Sequence, residues 1–311
     1  MSDTFSDWYV IINPHAGSGK TMSEWKLAEA RLCEYGIPYK PVYTGHKSHA
    51  KELSEDAARQ GYRHIMAVGG DGSVHEVMTG IMNYCSAESV DPSEFYMAVI
   101  PIGSGNDWIK SLGVPHDTLA VIDLVRKASF VRQDIVRVTD ASDHTCYMAN
   151  IGGAGFDSQV CVRVNAQKER GYRSRFIYFM SLIHTILHLD RFHAAVEMDG
   201  ETVYDGPCFS IAFGIGKYSG GGMRQTSLSE IDDGLLDVLV IPVVSLLRIA
   251  REIPRLFTGT IHETKCLIYR RCRKVVLRSE PSIPYEVDGE VEGSTDVTVE
   301  MTGQQMNVLA G

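Results

Sequence analysis

The first part of the chain alternates short apolar runs with segments whose apolar residues recur at helical spacing. Strands are predicted at residues 9–12, 39–43, 64–68 and 96–100. Helices are predicted between them at residues 21–35, 50–60 and 74–84. Thr21 and Glu24 stand at capping-box spacing before the first helix, and Gly36 follows its last turn. This alternation predicts a parallel sheet with helices on both faces, which binds ligands at the carboxyl ends of its strands.

From residue 132 onward, strand patterns dominate. Strands are predicted at residues 135–138, 147–151, 194–198, 201–204, 209–213, 236–241, 274–277, 285–287 and 297–301. Asp199-Gly200 is a type I′ turn signal between two of these strands. The run predicts an antiparallel β sandwich or partial barrel. We therefore predict an α/β domain over 1–131 and an all-β domain over 132–311, with a cleft between them. The last residues are considered as returning to the first domain.

Composition narrows the class of protein. A formal net charge of −9 argues against a nucleic-acid partner. The seven cysteines are scattered without CxxC spacing, which favours reduced thiols in a cytoplasmic protein. The polar, acidic N-terminus is not a signal peptide, and the longest apolar stretch, residues 176–189, is too short to span a bilayer. Basic residues precede that stretch, so it is interpreted either as a membrane-surface helix or as a core helix.

A glycine-rich turn, Gly69-Gly70-Asp71-Gly72-Ser73, joins a predicted strand to a predicted helix. Glycines let backbone amides approach a phosphate, and the helix N-terminus adds partial positive charge there. A carboxylate repels bare phosphate, so Asp71 is interpreted as facing a metal ion or as accepting a proton from an attacking hydroxyl. The alternative is a tight turn in which Asp71 caps the helix.

Two more turn-rich segments follow predicted strands. Residues 13–21 end in Gly-Lys-Thr like a Walker A loop, but Pro14 occupies the position of its first glycine. Asn13, Ser18 and the glycine amides are therefore predicted to contact phosphate or to hold a neighbouring loop. In residues 101–108, Ser104 offers a hydroxyl, and Asn106 and Asp107 are placed to orient a metal-bound water or a substrate hydroxyl.

Two acidic segments lie in the second part of the chain. Residues 230–235 hold three acids, which are either oxygen ligands for Mg²⁺ or a solvated turn. Residues 285–290 end in Asp-Gly-Glu, which is first a hairpin signal, so Glu290 needs outside support as a catalytic candidate. Glycine-rich residues 214–222 are predicted to form a mobile loop near the cleft.

Together, these motifs resemble the diacylglycerol kinase catalytic-domain family, bacterial lipid kinases related to sphingosine and ceramide kinases. The likeness covers nearly the whole chain. The family's opening loop matches residues 13–20, its threonine after the second strand matches Thr44, and its GGDGT segment matches residues 69–76. Its PxGTxND segment matches residues 101–107, its acidic metal segment residues 230–235, and its late DGE residues 288–290.

The resemblance implies an N-terminal NAD-kinase-like three-layer α/β domain and a C-terminal antiparallel β sandwich, with the active site in the interdomain cleft. It implies an ATP- and Mg²⁺-dependent kinase with Glu290 as proton acceptor and Asp71 organising the metal–water network or sharing that role. Mg²⁺ ligands would be Glu230, Asp233 and the Leu235 carbonyl. The residues expected at the nucleotide are Asn13, Ser18, Thr44, Gly69, Gly70, Asp71, Gly72, Ser73, Val74, His75, Gly103, Ser104, Asn106 and Asp107.

The acceptor expected from the resemblance is a membrane lipid, first diacylglycerol, reached by transient contact with the inner face of the membrane. His75, where the bacterial pattern has asparagine, is closer to the sphingosine-kinase branch, so a sphingoid base or ceramide is the alternative. A soluble-substrate kinase related to NAD kinases or phosphofructokinases, and a non-catalytic lipid-binding regulator, are the competing interpretations. A homodimer is compatible with the sequence.

Overall fold

Residues 7–103, 105–169 and 192–311 are described by a computed structural model. Contacts divide the chain into two units, each with its own core. Unit 1 comprises the chain up to Ile135 together with Gly303–Gly311, and unit 2 is Val136–Thr302. Two strands, β5 (Phe130–Asp140) and β15 (Val297–Leu309), run from one unit into the other.

Unit 1 contains the predicted parallel sheet. Its four consecutive strands are β1 (Trp8–Ile12), β2 (Tyr39–Tyr43), β3 (His64–Gly69) and β4 (Tyr96–Pro101). They pair in the order β4-β3-β1-β2, all parallel. The second half of β15 adds a further parallel strand beside β4, with Asn307 opposite Tyr96. Residues of β1, β3 and β4 are nearly all buried, as expected for parallel strands in the centre of a sheet.

Five helices connect these strands or follow them. They are α1 (Thr21–Glu34), α2 (His49–Arg59), α3 (Asp71–Glu88), α4 (Asp107–Leu112) and α5 (Thr118–Arg126). Three of the four residues predicted for the apolar face of α1 are buried, namely Trp25, Ala28 and Leu32, whereas Tyr35 follows the helix and is half-buried. The alternation read from the sequence therefore gives the α/β fold that it predicted.

The capping box predicted at Thr21 and Glu24 is wrong. Thr21 is already inside α1, and its hydroxyl donates to the Ala16 carbonyl at 3.0 Å. The Glu24 carboxylate instead accepts a hydrogen bond of 2.6 Å from the Thr118 hydroxyl. Both side chains are thus used in contacts outside the first turn, and the helix begins without a side-chain cap.

Unit 2 is the predicted antiparallel β sandwich. Its strands are the end of β5, β6 (Thr145–Met148), β7 (Ile151–Gly155), β8 (Phe192–Met198), β9 (Glu201–Gly214), β10 (Leu236–Pro242), β11 (Ile268–Cys272), β12 (Lys274–Glu280), β13 (Pro284–Val287), β14 (Glu290–Ser294) and the first part of β15. The main order is β14-β13-β7-β9-β8-β12-β15, and β10 pairs with β9 and β11. The buried core includes Phe213, Leu236 and Tyr285. Within the described part of unit 2, two helices accompany the strands, α6 (Phe156–Glu169) and α7 (Leu246–Thr258).

The hairpin between β8 and β9 has the predicted turn. Asp199 and Gly200 both have positive φ, at 49° and 86°, which the type I′ turn requires. The predicted strand at 147–151 is instead two strands, β6 and β7. Between them, the amides of Ala149 and Asn150 donate to the Asp288 carboxylate at 2.8 Å each, so they are turned away from a strand ladder.

No helix among the described residues is long and apolar enough to cross a bilayer. The apolar stretch at 176–189 lies outside the described residues, as do most of the basic residues that precede it.

Candidate active site

Three loops, following β1, β3 and β4, meet at the carboxyl end of the parallel sheet. The Asn13 amide donates to the Val68 carbonyl at 3.0 Å, and the Ile102 amide donates to the Gly69 carbonyl at 2.7 Å. A Cβ on Gly17 would lie 2.4 Å from Ile102 Cγ2, so the first loop packs directly on the third. The three predicted phosphate loops of unit 1 therefore form one contiguous group.

The helix that follows the GGDGS turn begins earlier than predicted. Gly70 occupies the position before α3, and its carbonyl accepts from the amides of Ser73 at 2.9 Å and Val74 at 3.2 Å. Asp71 and Gly72 are therefore the first residues of α3 rather than part of the preceding loop. The amides of this first turn point out of the N-terminus, where the helix dipole favours an anion.

Gly69 and Gly70 of this turn differ in the space that a side chain would have at each position. A Cβ on Gly69 would lie 2.2 Å from Ser73 Oγ, so packing alone requires glycine there. Gly70 has φ −100°, which any residue adopts, and its Cβ would have only ordinary contacts of 3.6 Å with Asn106 Oδ1 and the Ile102 carbonyl. Neither the backbone nor the packing of the described residues requires glycine at 70. The remaining physical reason for a glycine is close approach by a ligand.

Two carboxylates lie beside this turn. Asp71 Oδ1 accepts from the Trp108 amide at 3.3 Å. The position that a Cβ on Gly105 would take is 3.1 Å from Asp71 Oδ2 and 3.8 Å from Asp107 Oδ2. Asp107 is buried and forms an ion pair with Lys110. The carboxylates of Asp71 and Asp107 therefore flank one small space next to the N-terminus of α3.

Asn106 connects the third loop to the GGDGS turn. It has a left-handed backbone with φ 47°, is buried, and donates from Nδ2 to the Gly103 carbonyl at 3.3 Å. Its Oδ1 faces Gly103 and Gly70. Asn106 thus fixes the loop that carries Asp107, whereas Ser104 lies outside the described residues.

The remaining candidates of unit 1 border these loops. Ser18 lies in a short 3₁₀ helix, Ala16–Gly19, between β1 and α1. Asn13 Oδ1 accepts from the His15 amide at 3.0 Å, an interaction that shapes the first loop. Thr44 follows β2, is buried, and donates its amide to Ile12 at 2.9 Å. His75 is buried in α3.

Three residues after Thr44 bring metal-ligating atoms together. One ligand atom from each of His46, His49 and Glu52 lies within 4.8 Å of the others. The two imidazole rings stack with an interplanar angle of 13°, and His49 Nδ1 accepts from the Gly45 amide at 2.8 Å. The lone pairs of parallel rings run side by side rather than converge on one point. This group is therefore not arranged to bind a metal ion.

In unit 2, the acidic segment before β10 is engaged by an arginine. Asp233 forms an ion pair with Arg271, and its Oδ1 accepts from the Leu235 amide at 3.1 Å. Arg271 also contacts the buried Asp237 at 3.2 Å, while Glu230 is exposed. Carboxylates and a carbonyl suit Mg²⁺ chemically. Asp233 is paired with Arg271, as Asp107 is with Lys110, so a Mg²⁺ ion at either acid would compete with a cationic side chain. The ligand set expected in unit 2 stays a prediction.

The late Asp-Gly-Glu segment joins β13 to β14. Asp288 has φ 52° and is buried, and its carboxylate is occupied by the two amides that separate β6 from β7. Glu286 Oε2 accepts from the Gly289 amide at 2.8 Å and closes the turn. Glu290 begins β14 and is half-buried. Two acids of this segment therefore have structural roles, which leaves Glu290 as its catalytic candidate.

Besides Asp237, sequence reasoning missed Asp134 and Asp157. In unit 1, Asp134 accepts from Gln305 Nε2 at 2.9 Å. In unit 2, Asp157 accepts from Ser210 Oγ at 2.8 Å and from Gln225 Nε2 at 2.9 Å. Burial raises the pKa of Asp157 in spite of these two donors. The available signal was an acid next to apolar strand residues, and buried carboxylates are retained mainly where they are paired or functional.

Comparisons with known proteins show which family models and relatives the chain resembles. Residues 7–138 match the family model of the diacylglycerol kinase catalytic domain. Residues 150–310 match that of the YegS C-terminal NAD kinase beta sandwich-like domain. The "Probable lipid kinase YegS-like" of Xanthomonas campestris is 26% identical over 97% of this chain and 96% of its own length. The "Diacylglycerol kinase" of Staphylococcus carnosus is 23% identical over 91% of this chain and 88% of its own.

Solved structures share the fold. A diacylglycerol kinase from Bacillus anthracis str. Sterne superimposes with a TM-score of 0.78 at 21% identity, over 99% of this chain and 98% of that one. Yeast NADH kinase superimposes with a TM-score of 0.51 at 10% identity, over 99% and 84%. Fold and loops together define a kinase with an NAD-kinase-like architecture. The chain contains a diacylglycerol kinase catalytic domain, belongs to the family of the YegS C-terminal NAD kinase beta sandwich-like domain, and is an enzyme of the lipid kinase class.

Proposed function

We propose that the protein transfers the γ-phosphoryl group of ATP to the hydroxyl of diacylglycerol in a Mg²⁺-dependent reaction. The observation that carries this proposal is the pair of carboxylates, Asp71 and Asp107, beside the N-terminus of α3 and next to a glycine that the fold itself does not require. Relatives named as lipid kinases and as a diacylglycerol kinase support the choice of acceptor.

The loops of unit 1 suit the donor nucleotide. Amides at the start of α3 would bind phosphate oxygens, and Gly70 would allow the phosphates to approach. Thr44 and Asn106 border the same group of loops. Asp71 and Asp107 offer the one or two carboxylates that Mg²⁺ uses together with substrate phosphates. The ion would neutralise charge on the phosphates, which phosphoryl transfer needs more than covalent help.

The proton of the acceptor hydroxyl needs a base. Asp71 and Glu290 are the two candidates, and they differ in their surroundings. Asp71 is anchored by the Trp108 amide, whereas Glu290 stands half-buried at the start of a strand. Asp71→Asn and Glu290→Gln remove these bases one at a time while preserving side-chain size.

The activity assay uses purified protein, labelled ATP and a panel of acceptors. Diacylglycerol, sphingosine and ceramide are presented in mixed micelles, and NAD is presented in solution. We expect labelled phosphatidic acid with Mg²⁺ and none when the ion is chelated. Preferential labelling of NAD would replace the lipid assignment by a soluble-substrate kinase, and nucleotide binding without any product would favour the regulator.

The Asp71→Asn variant tests the site itself. Asparagine keeps an oxygen that accepts from the Trp108 amide, so the fold should be preserved. Loss of the carboxylate is expected to lower kcat by about 100-fold or more, the usual contribution of a positioned acid–base or metal-orienting group. Asp91→Asn is the matched control, because Asp91 accepts from the Ser93 amide in a 3₁₀ turn away from the three loops. Equal turnover in Asp71→Asn and Asp91→Asn, with equal thermal stability, would sink the proposed site.

A sphingoid base is the second candidate acceptor. The observation that favours it is His75, which lies two residues after the GGDGS turn and is buried within α3. The same acceptor panel separates the two lipids, because each product is identified by its own mobility.

A further inference from the structure

Helix α7 (Leu246–Thr258) exposes apolar side chains on its outer face. Leu247 is 86% exposed and Phe257 is 56% exposed, and they are the two most exposed large apolar side chains among the described residues. The inner face is packed on unit 2, where Leu256 contacts a small buried cluster that includes Leu239 and Ile261. The helix is thus fixed to the protein by one side and leaves apolar side chains uncovered on the other.

The outer face has two adjacent stripes. Leu247 and Pro254 are seven residues apart, close to two whole turns, so they lie along one line, and Phe257 lies about 60° around the helix from Pro254. Arg248, Arg251 and Arg255 follow the same kind of spacing and form a second line beside the first. Each apolar side chain therefore has a guanidinium within about one turn of it.

The outer face carries more basic than acidic side chains. The Arg251 side chain is 85% exposed and that of Arg255 is 41% exposed. Glu252 is only 13% exposed and contacts Arg255 at 3.1 Å and Arg251 at 3.9 Å. The exposed Glu263 also contacts Arg255, at 3.4 Å. Three arginines against these two acids leave the face with a net positive charge in a chain whose formal net charge is −9. A local basic stripe of this kind acts against the repulsion that the average charge would produce at an anionic surface.

We propose that α7 is a membrane-docking helix that lies in the interface of an anionic lipid bilayer. Leu247 and Phe257 would enter the acyl boundary, and the three arginines would contact anionic headgroups, the arrangement typical of interfacial amphipathic helices. Charge complementarity favours lipid over a second copy of the chain, because two copies meeting through this face would bring six arginines together. This inference goes beyond the proposed reaction, since it assigns a surface of unit 2 and no acceptor.

The test is co-sedimentation of the full chain with vesicles in the absence of nucleotide. Vesicles of phosphatidylcholine alone are compared with vesicles of equimolar phosphatidylcholine and phosphatidylglycerol. We expect binding to the anionic vesicles that weakens with added salt. The variants Leu247→Asn/Phe257→Asn and Arg248→Gln/Arg251→Gln should each lower the partition coefficient by about tenfold or more.

Matched controls come from exposed positions of unit 1. Leu27→Asn/Val131→Asn removes two side chains that are 49% and 39% exposed, and Lys26→Gln/Lys127→Gln removes two exposed cations. These controls should bind vesicles like the unchanged protein. Because the readout is binding alone, its result is separate from the fate of the proposed phosphoryl transfer.

Two outcomes would overturn the docking role. One is vesicle binding by both α7 variants equal to that of the controls. The other is a change from dimer to monomer in the Leu247→Asn/Phe257→Asn variant, measured by light scattering, with vesicle binding unchanged, which would show that a second copy covers this face. Thermal unfolding of each variant checks that lost binding does not come from lost folding, since Leu247 and Phe257 are exposed and their replacement should leave the melting temperature unchanged.

Discussion

Adjacent glycines in the GGDGS turn serve different ends. Gly69 stands where any side chain would collide with Ser73, so its role is to let β3 pass directly into α3. Gly70 has room for a methyl group and an ordinary backbone conformation. Because neither φ nor packing requires glycine at 70, we infer that glycine is there to let a ligand approach the backbone amide.

Alanine at these two positions should therefore have opposite effects. Gly69→Ala is expected to lower the free energy of unfolding by about 1–3 kcal/mol, because Ser73 must move. Gly70→Ala should leave stability unchanged or raise it by about 0.4–1 kcal/mol, because the unfolded chain loses freedom. The same variant should bind ATP more weakly, since a methyl group blocks the approach of the phosphates. Urea denaturation and calorimetric titration with ATP measure the two effects.

Gly45→Ala serves as the control for stability, because its nearest neighbour would be His49 Nδ1 at 3.7 Å. If Gly70→Ala bound ATP as tightly as the unchanged protein, the phosphate-loop interpretation would lose its main structural support. A destabilised Gly70→Ala variant would instead return the turn to a purely structural role.

At the scale of the elements, a carboxylate of α3 connects this helix to α2. Glu76 of α3 accepts from the amides of Ser48 and Ala50 at 3.0 Å each. These amides lie at the N-terminus of α2, where no intrahelical acceptor exists for them. The glutamate that follows the GGDGS motif thus fixes the start of the helix that follows β2 and Thr44.

Glu76→Gln is expected to destabilise unit 1. A glutamine side chain accepts from one amide and turns its own N–H₂ group toward the other, so a buried donor loses its partner. The expected loss is about 1–3 kcal/mol, the cost of an unmade charge-assisted hydrogen bond. Thermal or urea unfolding measures this loss of stability. Glu52→Gln is the control, because Glu52 lies on α2 and its side chain is 58% exposed. Equal stability of the two variants would show that this carboxylate does not hold α2.

Local patterns predicted the elements well, and long-range hydrogen bonds account for the errors. The apolar stripe of α1 and the Asp199-Gly200 turn depend on neighbouring residues, and the turn and three of the four stripe residues were confirmed. The division of the strand at 147–151 depends on Asp288, far along the chain. Such a contact leaves no periodic signal in the segment that it changes.

The candidate site shows the same division. The loops around Asp71 and Asp107 could be predicted, because glycine and acid residues at strand ends have a local meaning. The ion pair of Asp233 with Arg271 and the burial of Asp134 could not, because their partners come from other strands. Spacing identified the acids at the strand ends, whereas only the fold shows which acids are paired with a cation, as Asp107 is with Lys110 and Asp233 is with Arg271.

On the scale of the whole molecule, the chain crosses between its units twice. Strand β5 leaves unit 1 at Ile135, and β15 returns to it at Gly303. The returning segment buries Met306, Val308 and Leu309. It also supplies Gln305, which donates to the buried Asp134. The last nine residues are therefore part of the core of unit 1, although they follow all of unit 2 along the chain.

Because two strands are shared, the two units could unfold together or separately. Hydrogen exchange distinguishes these cases when it is measured on two variants, each with one substitution in the core of one unit. Val308→Ala removes buried methyl groups beside β4, and Val240→Ala does the same in β10 of unit 2, where Val240 is equally buried. Each substitution should lower the free energy of opening by about 2 kcal/mol in its own core. Because each unit has its own core, we expect Val308→Ala to speed exchange of the Met66 and Ala98 amides about 30-fold while those of β9 remain protected. Val240→Ala should give the reverse pattern. Equal acceleration in both units by either variant would show instead that the shared strands β5 and β15 make the chain one cooperative structure.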